Sequence, residues 1–185
     1  DLPALLDQVD AHLADGCTHV RVQTGVPGLT TVYGVSKDPV YEPAGRTVRP
    51  IEECWDAESY LTYFPGVLAK VREHVGDQVG LLHDAHHRLT PNQAARLAKA
   101  VEPSGLFWLE DVTPAEDPEA LRLVRQHSTT PLAIGEVFNT IWDCQRLIED
   151  RLIDYVRTAI VHAGGISHCR KIFALAEVHG VQAAP

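Results

Sequence analysis

The sequence predicts an α/β fold built on a parallel sheet, and three observations carry that prediction. Short apolar runs alternate with segments of helical period along most of the chain. The runs are apolar at consecutive positions, as strands covered on both faces are. Three of them end in an acid at equal spacing: Asp84, Glu110 and Glu136 stand 26 residues apart (84 to 110, 110 to 136), about one strand-and-helix unit.

The candidate strands are His19–Gln23, Val79–His83, Leu106–Leu109, Leu132–Gly135, Tyr155–Ile160 and Gly180–Ala184. Helices are expected between them. Thr90-Pro91 opens one, Thr as N-cap and Pro at the first helical position, with Ala94, Leu97 and Val101 on its inner face. A second runs from about Asp117-Pro118 to Gln126, stopped by Thr129-Thr130-Pro131. A third spans about Ile141–Asp150, and a fourth about Ile166–Val178, ending before Gly180. The stretch from Gly25 to about Phe64 breaks the alternation. It is rich in Pro and Gly yet carries Tyr33, Tyr41, Trp55, Tyr60 and Tyr63, and it reads as a lid or insertion over about residues 25–65.

Composition narrows the function classes. The chain has 185 residues, 16 Lys and Arg against 25 Asp and Glu, and a net charge of −9, a poor match for nucleic-acid phosphates. No apolar run reaches the roughly 18–20 residues that cross a bilayer. Asp1-Leu2-Pro3 does not start a signal peptide. Cys17, Cys54, Cys144 and Cys169 are too far apart for paired zinc ligation and read as reduced, mostly buried thiols. There is no GxGxxG after the first strand and no GxxxxGK[ST], so a nucleotide-binding reading has no motif behind it.

The chemistry lies at the strand ends. In consecutive strand-helix units the C-terminal ends of neighbouring strands open into one cleft. Three carboxylates there repel one another, and a divalent cation with all-oxygen ligation, Mg²⁺ above all, resolves the repulsion. Capping or ion pairing is the bland alternative for any one such acid. His86 lies two residues past Asp84, the same strand parity, and is expected to face the cleft, whereas His83 and His87 read as structural. Arg157 in Tyr155–Ile160 and Arg21 in Val20-Arg21-Val22 are charges in apolar strands, and each must pair or bind an anion. A zinc hydrolase using His83, Asp84, His86 and His87 is a competing reading, weakened because the other strand ends offer carboxylates rather than imidazoles.

With these residues in place the sequence resembles the D-mannonate dehydratase subgroup of the enolase superfamily, mandelate racemase-like enzymes that include starvation-sensing relatives. The resemblance rests on 20–29 (VRVQTGVPGL), 33–37 (YGVSK), 82–91 (LHDAHHRLTP), 106–111 (LFWLED), 131–136 (PLAIGE), 152–157 (LIDYVR) and 162–166 (HAGGI). It implies a (β/α)-barrel of modified TIM type. It also implies one Mg²⁺ held by Asp84, Glu110 and Glu136, Tyr33 as catalytic base activated by Arg21, His86 as general acid and substrate contact, and Arg157 as a substrate-binding residue. The implied reaction is dehydration of D-mannonate or D-gluconate to 2-keto-3-deoxy-D-gluconate. A weakly active or inactive sugar-acid sensor on the same fold is the alternative. A cytoplasmic homo-oligomer acting on a small aldonic acid, with no nucleic-acid or membrane partner, completes the expectation.

A TIM barrel takes about 250 residues and eight strands. Six are expected here, the second to the seventh, which makes residues 1–185 the central part of a barrel domain. The capping domain and the last strand are expected to lie outside residues 1–185. The absence of methionine fits that expectation. An open six-strand piece exposes two sheet edges, so the isolated segment is not expected to fold stably.

Overall fold

The computed structural model describes residues 1–27 and 56–185. Among these, six parallel strands form one sheet in unbroken order: β1 (His19–Arg21), β2 (Gly80–Asp84), β3 (Trp108–Glu110), β4 (Leu132–Ile134), β5 (Tyr155–Val156) and β6 (Gln182–Ala183). Six helices accompany them: α1 (Leu2–Ala14), α2 (Ala57–Val75), α3 (Pro91–Ala100), α4 (Pro118–His127), α5 (Ile141–Glu149) and α6 (Ile166–His179). The arrangement is a partial barrel, as predicted. No helix among the described residues is long and apolar enough to cross a membrane.

Register separates the two faces of the sheet. Leu81, Leu109, Leu132, Ile134 and Val156 are buried and share one apolar cluster with Leu68, Leu97, Leu121, Leu147 and Ile172 from the helices. Each such side chain contributes about 1.5–3 kcal/mol by leaving water. The opposite face is a row of a different kind. Asp84 pairs with Glu110, Glu110 with Ala133, Ala133 with Tyr155, and Tyr155 with Gln182. Polar and aromatic groups on that row mark it as the barrel's inner side.

Helix α3 starts as predicted. The Thr90 hydroxyl accepts from Gln93 N while the Gln93 side chain accepts from Thr90 N, a complete capping box. Asp117 caps α4 by accepting from Glu119 N and Ala120 N. At the opposite end of the sheet Arg72 donates to the carbonyls of Gly76, Val79, Ser104 and Gly105, tying α2 to the entries of β2 and β3.

Two helices differ from expectation. α1 fills residues that carried no prediction. α2 begins at Ala57, so 57–65 belongs to a helix and not to a connecting lid. Pro65 lies inside it, which removes one helical N–H but leaves the stripe Tyr60, Leu61, Phe64, Val67, Leu68 and Val71 buried against the core. Tyr33, Tyr41, Cys54 and Trp55 lie outside the described residues. Of the other cysteines, Cys144 and Cys169 are buried and Cys17 is exposed.

α2 also explains His83. The imidazole stacks on Phe64 at 3.9 Å, its Nδ1 lies 2.9 Å from Val22 O, and its Nε2 lies 2.5 Å from Tyr60 Oη. Burial pushes its pKa down to about 4, so the ring is neutral, donates from Nδ1 and accepts the tyrosine proton at Nε2. Tyr60→Phe strands that buried lone pair. Urea denaturation of the intact protein is expected to show a loss of about 1–3 kcal/mol.

Candidate functional site

Asp84 and Glu110 are the last residues of β2 and β3, and they face each other across the pair. Both are buried, Asp84 3% and Glu110 1% exposed, which is rare for carboxylates and demands compensating charge. Two arginines supply part of it. Arg157 Nε lies 2.8 Å from Glu110 Oε1. Arg21 Nη1 lies 3.5 Å from Asp84 Oδ2 and 3.9 Å from Glu110 Oε2. Gln23 donates to Asp84 Oδ2 at 3.2 Å and the Trp108 indole to Glu110 Oε2 at 3.1 Å.

The compensation is incomplete. Glu110 Oε1 has no hydrogen bond among the described residues, because the nearby Arg157 Nε is not aimed along a bonding direction. Burial pushes the Glu110 carboxyl up to about 7; Arg157 opposes the shift, and Asp84 and Asp111 add to it. Two acceptor-only groups held together with unmet demand for positive charge suit a hard divalent cation with oxygen ligands. The residues present therefore fit the predicted ion.

The third acid departs from the pattern. Glu110 pairs with Ala133, so Glu136 lies three residues past the register position and beyond the end of β4. Equal spacing in sequence did not carry equal register to the third strand. Glu136 follows Gly135, which stands at φ +146° with Arg157 O only 2.6 Å from where a Cβ would be. Gly135→Ala would drive that backbone apart, and Arg157 with it. Chemical denaturation is expected to show a loss of more than about 1 kcal/mol, and the separation of Arg157 from Glu110 is expected to grow.

His86 lies beyond the strand. Its φ is +56°, so strand parity does not place it; the Asp84 carboxylate does, accepting from His86 N at 2.7 Å. Its Nε2 lies 3.8 Å from Glu136 Oε1, so the ring reaches one of the three predicted acids. Arg157 directly follows β5 rather than lying inside a longer strand, and its N donates to Ile134 O at 2.9 Å. Tyr33 lies outside the described residues.

Two residues not predicted for the site are found beside it. His87 Nε2 lies 3.3 Å from Asp111 Oδ2 and 3.5 Å from Glu136 Oε1, and ligand atoms of these three residues lie within 4.8 Å of one another, a grouping that the predicted trio Asp84, Glu110 and Glu136 does not form among the described residues. Asp111 is fully buried. The Asp111 carboxylate is the main cause raising the His87 pKa to about 9, so the pair keeps its proton above neutrality. A second acid directly after Glu110 was the available signal, and a strand-parity argument discards it because adjacent residues point to opposite faces.

Comparison with known proteins gives matches over nearly the whole chain. Residues 4–185 match the model of the family described as enolase C-terminal domain-like. A D-galactonate dehydratase family member of Streptomyces bingchenggensis is 61% identical over 100% of this chain and 45% of its own length. A D-mannonate dehydratase of Rhizorhabdus wittichii is 50% identical over 98% of this chain and 45% of its own. The chain thus spans somewhat under half the length of these relatives. Among solved structures, an enolase from Pantoea ananatis with bound D-gluconate and Mg superposes with a TM-score of 0.79 at 33% identity, over 99% of this chain and 46% of that one. An L-talarate dehydratase from a Polaromonas species, complexed with Mg and L-glucarate, gives 0.75 at 25% identity, over 100% and 43%.

Proposed function

The chain belongs to the enolase C-terminal domain-like family, and on that premise we propose that it carries the reaction centre of a Mg²⁺-dependent sugar-acid dehydratase. The observation that carries the reading is the buried pair Asp84 and Glu110 at adjacent strand ends, flanked by Arg21 and Arg157. In this reading Asp84, Glu110 and Glu136 hold the cation. When bound, the cation draws charge from the substrate carboxylate and so acidifies the neighbouring C–H.

The remaining work falls to side chains. Tyr33, as phenolate, accepts the α-proton. An ordinary phenol titrates near 10, and the Arg21 guanidinium favours its ionised form. Arg157 binds the sugar acid through its charge. His86 donates a proton to the β-hydroxyl as the C–O bond breaks, and water leaves with the bond's electron pair. The enol that results tautomerises to a 2-keto-3-deoxy acid. D-Mannonate or D-gluconate would give 2-keto-3-deoxy-D-gluconate. The same reading carries the expectation of a cytoplasmic homo-oligomer.

The test is a panel of aldonic acids with the intact protein and Mg²⁺, read by formation of the 2-keto-3-deoxy acid and by exchange of the α-hydrogen in D₂O. Product from D-mannonate or D-gluconate supports the proposal. Tight binding of an aldonic acid with neither exchange nor product would replace it with the sensor reading.

A further inference from the structure

The backbone beyond β2 stays stitched to the backbone beyond β3: Ala85 N donates to Glu110 O at 2.9 Å and His87 N to Asp111 O at 2.6 Å. Both His87 and Asp111 adopt left-handed backbone, φ +59° and +46°. Non-glycine residues reach that region at a cost of order 1 kcal/mol each, so something must hold them there. Asp111 is fully buried, and neither of its carboxylate oxygens has a hydrogen bond among the described residues. His87 Nε2 lies 3.3 Å from Oδ2, within ion-pair reach but not in hydrogen-bonding alignment. The ring is fixed at its other nitrogen, with Nδ1 3.2 Å from Thr113 O. From this anchored position Nε2 also meets Glu136 Oε1 at 3.5 Å. Glu136 is the one predicted ligand that no strand pairing holds.

We infer that His87, anchored by the buried Asp111, is a positioning residue that holds the Glu136 carboxylate where it can join Asp84 and Glu110 on one cation. The inference rests on the ligand set of the preceding section. Its chemistry is that of a group outside the ligand shell. His87 Nε2 makes no hydrogen bond among the described residues, so its hold on Glu136 is proximity and charge: the ring edge 3.5 Å from Oε1 limits the carboxylate's rotation and leaves its second oxygen for the ion. Loss of such a partner typically weakens metal binding about 10–100-fold. His87 would thus do by side chain for Glu136 what strand pairing does by backbone for the other two acids.

The test uses the intact protein and Mn²⁺, whose free ion is counted directly by electron paramagnetic resonance. His87→Leu is expected to weaken Mn²⁺ binding about 10–100-fold, with His87→Gln, which keeps an N–H donor, recovering part of the loss. Asp111→Asn preserves shape, removes the anchoring charge and is expected to weaken binding in the same direction, which keeps the test open if His87→Leu does not fold. Tyr60→Phe, which destabilises through His83 on the face of β2 opposite Asp84, is expected to leave Mn²⁺ affinity unchanged and so separates positioning from general loss of structure. If Glu110→Gln abolishes binding while His87→Leu and Asp111→Asn bind Mn²⁺ as the wild type does, the positioning role is wrong and the ligand set stands. If Asp84→Asn and Glu110→Gln keep wild-type affinity while His87→Leu abolishes it, the ion sits on His87, Asp111 and Glu136, and both readings fall.

Discussion

Tyr33→Phe is expected to lower kcat on the best aldonic acid by about 10²–10⁴-fold, the contribution usual for a positioned general base, while Mg²⁺ binding stays at the wild-type level. The substitution removes one oxygen and keeps the ring. The predicted ligands Asp84, Glu110 and Glu136 lie on other segments of the chain, so cation affinity has no reason to change. The two halves of the proposed reaction can also be separated. Tyr33→Phe is expected to abolish exchange of the α-hydrogen in D₂O together with dehydration. His86→Asn is expected to retain the exchange and lose only the departure of water. A Tyr33→Phe protein that still exchanged the α-hydrogen at the wild-type rate would assign the base to another residue.

Glu110 is legible from sequence for a physical reason, and the limits of that legibility are physical too. Asp84 and Glu110 end runs too apolar to be anything but buried strands, and one strand-and-helix unit separates them, so pairing them face to face needed only the parallel sheet. Glu136 was found by the same count, but its position depends on Gly135 and on how β4 slides against β3, which spacing does not encode. His86 was placed near the acids by strand parity, and the structure brings it there by a left-handed turn capped on Asp84. His87 was read as structural and Asp111 was given no role; alternation would not have recovered them, since it ceases to apply where φ turns positive. α2 carried no prediction at all: Pro65 and a cluster of aromatics made its first half read as loop, although Tyr60, Phe64, Val67 and Val71 already spelled a helical stripe.

Glu110→Gln is expected to abolish cation binding and, in cation-free protein at pH 8, to raise stability by up to about 3 kcal/mol, a pKa displacement of this size converted at 1.36 kcal/mol per unit. The Glu110 carboxyl is raised from 4.5 to about 7 in the folded chain. Between those values the folded state holds a proton that the unfolded state has released. Stability therefore falls as pH rises through this window, and the loss is complete above it. Glutamine carries no such term. His83 contributes the opposite slope, since its pKa is pushed down from 6.5 to about 4 and its stabilisation is lost as pH falls between them. Subtracting the variant's unfolding curve from the wild type's cancels His83 and leaves Glu110. Mg²⁺ is expected to reverse the order by stabilising the wild type alone. Equal stability of the two cation-free proteins from pH 5 to pH 8 would show that Arg157 and Arg21 already satisfy Glu110 in full.

The close packing at Gly135 gives the proposed ligand set two separate origins. Two of its oxygens hang from hydrogen-bonded strands whose spacing is that of the sheet, while the third follows a glycine at φ +146° pressed against the Arg157 carbonyl. A disturbance at that glycine would reach a bound cation through Glu136 and leave the pairing of Asp84 with Glu110 intact. The third ligand could thus be moved or lost separately from the first two.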